Sequence, residues 1–233
     1  MLALVAIAGA ALGAGGMTVW NSAGPVANRP AIERVVHDYL MAHPEVIPAA
    51  MQRLQDQESA RAVAGIGPEV TRPFGSAWAG NPRGDVTVVE YYDYNCGYCR
   101  ASLPTLRQLV KSDPNVRIVF RELPILAASS RAAAEASLAA AAAGQPQFNR
   151  FHDALYAGGR VTDASIAAAA RTAGVDLTKA DRRAAAAEIS RNLETAGRLG
   201  LNGTPSWIIG TRVFSGAAPL EELQKAVAAA RTR

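Results

Sequence analysis

The chain has two thiols, Cys96 and Cys99, and only Gly97 and Tyr98 stand between them. At this spacing, near the start of a helix, two cysteines can close a small disulfide ring. The helix's unpaired N–H groups and positive dipole end favour a thiolate on the first sulfur. That is the chemistry of a redox dithiol, with Cys96 as the exposed nucleophile and Cys99, one turn further in and more buried, resolving the mixed disulfide. The competing uses are half a metal site or an inert buried pair. No second cysteine pair is present to complete a four-sulfur zinc site. His37, His43 and His152 lie far away in sequence and read as capping, packing or surface residues, so no metal is assigned. The dithiol itself carries two electrons, and no organic cofactor is required.

Two further pieces stand near this pair in chemistry, though not in sequence. Glu90 lies amid apolar residues six positions before Cys96. A carboxylate there is costly to bury unless it is protonated or bonded. It therefore either passes a proton to and from Cys99, or ends a strand where it reaches solvent or pairs with a basic residue such as Arg121. Thr204-Pro205 precedes an apolar run at 206–209. A cis bond there would present the Thr204 backbone to an extended substrate chain, but only about 5% of X-Pro bonds are cis. The residues alone favour a trans proline opening a strand.

Around these residues the chain lays out positioning elements. Residues 86–92 are β-branched and aromatic, as a central buried strand requires. Residues 97–111 carry leucines and a valine at helical spacing with Pro104 inside, and 116–120 form a second strand, so a parallel crossover is expected. From 127 to 200 the alanine-rich chain predicts a helical insertion of about four helices, with starts at Thr162-Asp163 and Asp176. Residues 206–209, a turn at 210–212, Val213-Phe214 and a helix over 219–230 complete one α/β sheet domain.

Upstream, residues 65–84 read as a Gly- and Pro-rich connector with a short edge strand. Over 31–65, apolar residues recur at three- and four-residue steps on one narrow face, interrupted by Pro44 and Pro48, so a break is expected between His43 and Pro48. A face this narrow packs on its own domain or on another copy of the chain, which makes 31–65 a candidate for homo-oligomer formation. Residues 21–30 read as a polar linker. Residues 2–20 are uncharged and apolar, which predicts either an export signal peptide or a membrane anchor.

Composition narrows the function classes. Of 233 residues, 49% are hydrophobic, enough for a sizeable core, and this excludes disorder throughout. The formal charge of +4 comes from 24 basic and 20 acidic residues that are scattered, so nucleic-acid binding has no support. A single tight cysteine pair also argues against a structural disulfide scaffold.

The order Glu90, Cys96-Gly97-Tyr98-Cys99, helical insertion, Thr204-Pro205 resembles the DsbA-like group of the thioredoxin superfamily over residues 72–231. The run from Val88 to Asn95 is similar to the family's strand leading into its active site. Glu90 falls where the family keeps a buried acid, and Pro205 where it keeps a cis-proline. Residues 39–47 resemble the N-terminal helical extension of Com1- and ScsC-like members. The resemblance implies a thioredoxin fold with an inserted helical subdomain and an N-terminal helical extension. It also implies thiol-disulfide exchange on exported, cysteine-containing proteins in the periplasm, with a DsbB-like or DsbD-like membrane redox partner. Cys96, Cys99 and Glu90 would be catalytic, while Gly97, Tyr98, Thr204 and Pro205 would contact substrate. Strong oxidases in the group carry Pro-His between the cysteines. Gly97-Tyr98 with Thr204 before Pro205 is instead similar to disulfide isomerases, and a motif without a histidine donor implies a less oxidising disulfide. A Cu(I)-binding role for the two thiols is the alternative from another class.

Overall fold

A computed structural model describes residues 28–232. The apolar run at 2–20 and most of the 21–30 linker lie outside the described residues. The chain divides into two compact units, with the boundary after Leu54.

The first unit holds helix α1 (Arg29–Ala42) and the start of α2 (Val46–Ile66). Arg29 and Pro30, expected in the linker, already belong to α1, because proline's fixed φ suits a helix's first turn. The helices are interrupted over 43–45, within the interval that Pro44 and Pro48 predict. Ile32, Val35, Val36 and Tyr39 form the stripe of α1, and all four are more than half exposed.

The second unit is built on a five-stranded sheet in the order β1 (Trp78–Gly80), β3 (Val116–Glu122), β2 (Val86–Tyr92), β4 (Ser206–Ile209) and β5 (Arg212–Ser215). Strands β2 and β3 are parallel and the remaining pairings antiparallel. The β2–β3 crossover is α3 (Gly97–Ser112), with Pro104 inside the helix. The insertion between β3 and β4 contains α4 (Ala128–Ala143), α5 (Gln145–Ala157), α6 (Asp163–Ala173) and α7 (Arg182–Arg198), and α8 (Leu220–Arg231) closes the chain. Thr162 caps α6 as expected. Asp176 does not start an α-helix; it caps a single 3-10 turn, and Asp181 supplies the cap of α7 by accepting the Ala184 N–H at 2.9 Å.

Alternation along β2 sends its side chains to two cores. Val86, Val88 and Tyr92 join Leu106, Leu109, Phe148, Phe151, Trp207 and Leu223 on one face. Val89 and Tyr91 join Val70, Val119, Leu123 and Ile208 on the other. A strand buried on both faces has no polar side by which to set its register, so pairing with β3 and β4 must do so. The register sets Glu90 beside Phe120 on β3 and Trp207 on β4.

Candidate active site

Strand β2 delivers the chain to Asp93, and four residues later α3 begins. Cys96 is the N-cap of α3, and its Sγ accepts the Cys99 backbone N–H at 3.4 Å. A helix N-terminus has unpaired N–H groups and a positive dipole end, so the Cys96 sulfur sits where negative charge is favoured. On its other side the Cys96 thiol donates to the Thr204 carbonyl at 3.1 Å, and the Thr204–Pro205 peptide bond is cis. This corrects the trans geometry that the residues alone favour; the position implied by the family resemblance is the one observed.

A second correction concerns exposure. Cys96, expected to be exposed, is only 5% accessible, because the Thr204 carbonyl lies against its sulfur. Cys99, as expected, is deeper still at 1%. Gly97 and Tyr98 occupy the open side of the first turn, and Tyr98 is 70% exposed.

Glu90 is 1% exposed, so it does not reach solvent. Nor does it pair with Arg121. In the parallel register Arg121 lies beside Tyr91, on the opposite face of the sheet from Glu90. There its guanidinium donates to Glu188 at 2.8 Å, to Asn192 at 2.8 Å and to the Val70 carbonyl at 3.0 Å. Burial pushes the Glu90 carboxyl well above the usual carboxylate range, and negative charge on Cys96 pushes it further. Burial likewise raises the Cys99 thiol, with the charge of Glu90 adding to it. Each of these two groups is thus harder to ionise when the other carries charge.

Asp93, Tyr156, Ile125 and Leu126 complete the surroundings, and none of them stood out in the sequence. The Asp93 carbonyl accepts the Cys96 N–H at 2.9 Å and the Tyr156 hydroxyl of α5 at 3.2 Å. Its carboxylate accepts the N–H groups of Asn95 at 2.9 Å, Ile125 at 2.9 Å and Leu126 at 3.0 Å. An acidic residue just after a strand and before the dithiol is the one sequence signal that could have revealed this, since short acidic side chains close turns on nearby N–H groups. Its partners at 125 and 126 are long-range and have no such signal. His152 is buried in an aromatic cluster and its Nδ1 lies 3.0 Å from the Tyr94 hydroxyl. Among the sequence-singled residues it packs, and it does not join the dithiol.

A dithiol at a helix N-terminus, a cis-proline facing it, and a helical insertion in a mixed sheet define a domain of thioredoxin fold with a site suited to thiol-disulfide chemistry. Residues 87–228 match the model of the DSBA-like thioredoxin domain, and the chain belongs to that family. Residues 29–61 match the copper resistance protein ScsC N-terminal domain. Among solved structures, a linker-deletion mutant of Proteus mirabilis ScsC is similar with a TM-score of 0.69 and 25% identity, covering 90% of this chain and 98% of that one. A thioredoxin-like oxidoreductase from Silicibacter pomeroyi DSS-3 is 40% identical with a TM-score of 0.62, over 67% of this chain and 92% of that one. The thiol-disulfide exchange protein alpha-DsbA2 from Wolbachia pipientis is 27% identical with a TM-score of 0.68, over 76% and 97%. The Na(+)/H(+) antiporter NhaA 1 of Salinispora arenicola is 34% identical over 151 residues, which is 62% of this chain but only 23% of that protein. The chain thus spans about a quarter of the length of the curated relatives it matches.

Proposed function

We propose that the chain exchanges disulfides with cysteine-containing proteins through Cys96 and Cys99, at a poise less oxidising than that of a strong oxidase. The observation that carries this is the bracketing of the Cys96 sulfur by the Cys99 N–H and the Thr204 carbonyl, with no side-chain donor contributed by Gly97-Tyr98. In the reducing direction the Cys96 thiolate attacks a substrate disulfide, forms a mixed disulfide and releases one substrate thiolate. The Cys99 thiol then gives its proton to the Glu90 carboxylate and attacks Cys96. A Cys96–Cys99 disulfide forms, the second substrate thiolate leaves, and two electrons have passed to the substrate. The reverse sequence oxidises a substrate dithiol. The upward displacement of Glu90 suits this work, because a base transfers protons best when its affinity approaches that of its partner. Thr204 and Pro205 line the path of the substrate backbone, with Gly97 and Tyr98 on its open side.

The decisive measurement is the reduction potential of the pair in glutathione buffers. A value in the range of about −180 to −230 mV is expected, and one near −120 mV, typical of the strongest oxidases, would overturn the proposal. Assays on scrambled and on reduced ribonuclease then separate isomerase from oxidase. An isomerase needs a DsbD-like partner to keep the dithiol reduced, whereas an oxidase needs a DsbB-like one. Both roles place the protein outside the cytoplasm. One structural relative, from Salmonella enterica, is described as periplasmic. Among the described residues no helix is long and apolar enough to cross a membrane. Self-association through residues 31–65 is part of the same proposal, supported by the exposed stripe of α1.

The match of residues 29–61 to a copper resistance protein's domain favours a second reading, in which the two soft thiolates hold Cu(I). Copper retained through dialysis, together with absent disulfide exchange, would select it.

A further inference from the structure

Asp93 is 2% exposed and accepts five hydrogen bonds, each between 2.9 and 3.2 Å. Their origin matters more than their number. The Cys96 N–H and the Asn95 N–H come from the nucleophile's own loop, while the Ile125 and Leu126 N–H groups come from the loop after β3. The fifth donor, Tyr156, comes from the helical insertion. The Cys96 and Tyr156 bonds go to the Asp93 backbone carbonyl. Beside the bonds from the Leu123 N–H to the Tyr92 carbonyl and from Asn95 Nδ2 to Ser129 and Ser130, the carboxylate links the nucleophile's loop, through Asn95, to residues 125 and 126. Only a side chain with two acceptor oxygens at this short reach can do so, because asparagine would set an NH2 donor against one of the N–H groups.

The loop held in this way is apolar and open. Ile125 is 42% and Leu126 51% exposed, although their backbone N–H groups are fixed from below. The Asp93 carboxylate thus fixes their backbone, while the Asp93 backbone carbonyl separately holds the Cys96 N–H.

We propose that Asp93 is a positioning residue for exchange with polypeptides: it holds Ile125 and Leu126 where they seat apolar side chains flanking a substrate cysteine while that cysteine's sulfur reaches Cys96. This rests on the dithiol-exchange reading above. A small disulfide has no flanking chain to seat, whereas an extended peptide bridging Cys96 and the loop does.

The test compares single-turnover rate constants of the full chain for oxidised glutathione and for a disulfide-bearing peptide with leucine on both sides of its cysteine. In Asp93→Asn the ratio of peptide to glutathione rate constants is expected to fall about tenfold, as for loss of hydrogen bonds that act through placement. A second variant, Leu126→Ser, keeps the N–H that Asp93 accepts and stands in should Asp93→Asn not fold. In it, the preference for the leucine-flanked over a glycine-flanked peptide is expected to fall several-fold. Ratios unaltered in both variants, or equal losses with every substrate, would overturn the inference. If the unaltered chain exchanges no disulfide at all, the dithiol reading itself fails; exchange of glutathione with unaltered ratios sinks the positioning role alone.

Discussion

Cys96 and Cys99 have the same chemistry and opposite surroundings, and the asymmetry orders their roles. Cys96 takes the Cys99 N–H in the first turn of α3 and lies against the Thr204 carbonyl. Cys99 faces burial and the negative charge of Glu90, both of which hold its proton on. Replacing Cys99 with Ala is therefore expected to leave substrate mixed disulfides trapped on Cys96. Non-reducing gels of whole cells check this, and an absence of adducts counts heavily against the assignment. Glu90→Gln removes the acceptor proposed for the Cys99 proton, and resolution of the mixed disulfide is expected to slow on the order of 10²-fold. Stopped-flow measurement across pH tests it: a rate limb that survives unaltered in the variant shows that the proton goes elsewhere. At this scale the dithiol and Glu90 were legible, because a cysteine pair and an acid in an apolar strand each violate local expectation. The cis geometry at Pro205 was not legible from residues alone, since trans is the commoner state of such bonds. Pairing of Glu90 with Arg121 was one alternative the residues left open, and it is excluded only by the register, which puts Arg121 on the other face and which the sequence does not display.

The elements carry a different kind of information. Helix α1 has no buried residue, yet it presents Ile32, Val35, Val36 and Tyr39 on consecutive turns. Such a stripe seeks a partner surface, and burial of each large side chain stabilises an interface by about 1.5–3 kcal/mol. The double substitution Val35→Asp with Tyr39→Asp is expected to lower the mass measured by light scattering from that of a multimer to that of one chain. An unchanged mass in the variant would remove self-association from the proposal. Caps tell a similar story in smaller increments. Asp181→Ala removes the acceptor of the Ala184 N–H and is expected to cost about 1 kcal/mol of stability in urea unfolding. Periodicity disclosed the helices because their apolar residues line one face, buried in α3 and exposed in α1. Caps were read less well, because Asp176 and Asp181 both carry the right side chain and only the backbone decides which one opens the α-helix.

Across the whole molecule the sheet and the helical insertion are joined by a buried polar network that no local pattern reveals. Tyr92 and Ser137 both donate to Glu122, at 2.9 and 2.8 Å, and Tyr94 links Ser137 at 3.0 Å to His152. These residues come from β2, the turn after it, β3, α4 and α5, so the network forms only when the insertion docks. Burial raises the Glu122 carboxyl to about 7, opposed by the hydrogen bonds from its neighbours. The same burial holds His152 neutral by lowering it to about 3. A carboxyl that binds its proton more tightly folded than unfolded stabilises the fold most at low pH. Its contribution declines as pH rises from the ordinary value of 4.5 to about 7 and is lost above that. The linkage amounts to on the order of 3 kcal/mol across that window. Glu122→Gln keeps an acceptor for Tyr92 and Ser137 and cannot ionise. It is therefore expected to flatten this dependence and to unfold at higher urea than the unaltered chain at pH 8, with little difference at pH 5. Glu90 lies on the same sheet face and is displaced in the same direction, so a residual slope is expected in the variant. Parallel stability curves for the two proteins from pH 5 to 8 would show that Glu122 ionises without sensing its burial, and the docking of the insertion would then owe nothing to its protonation.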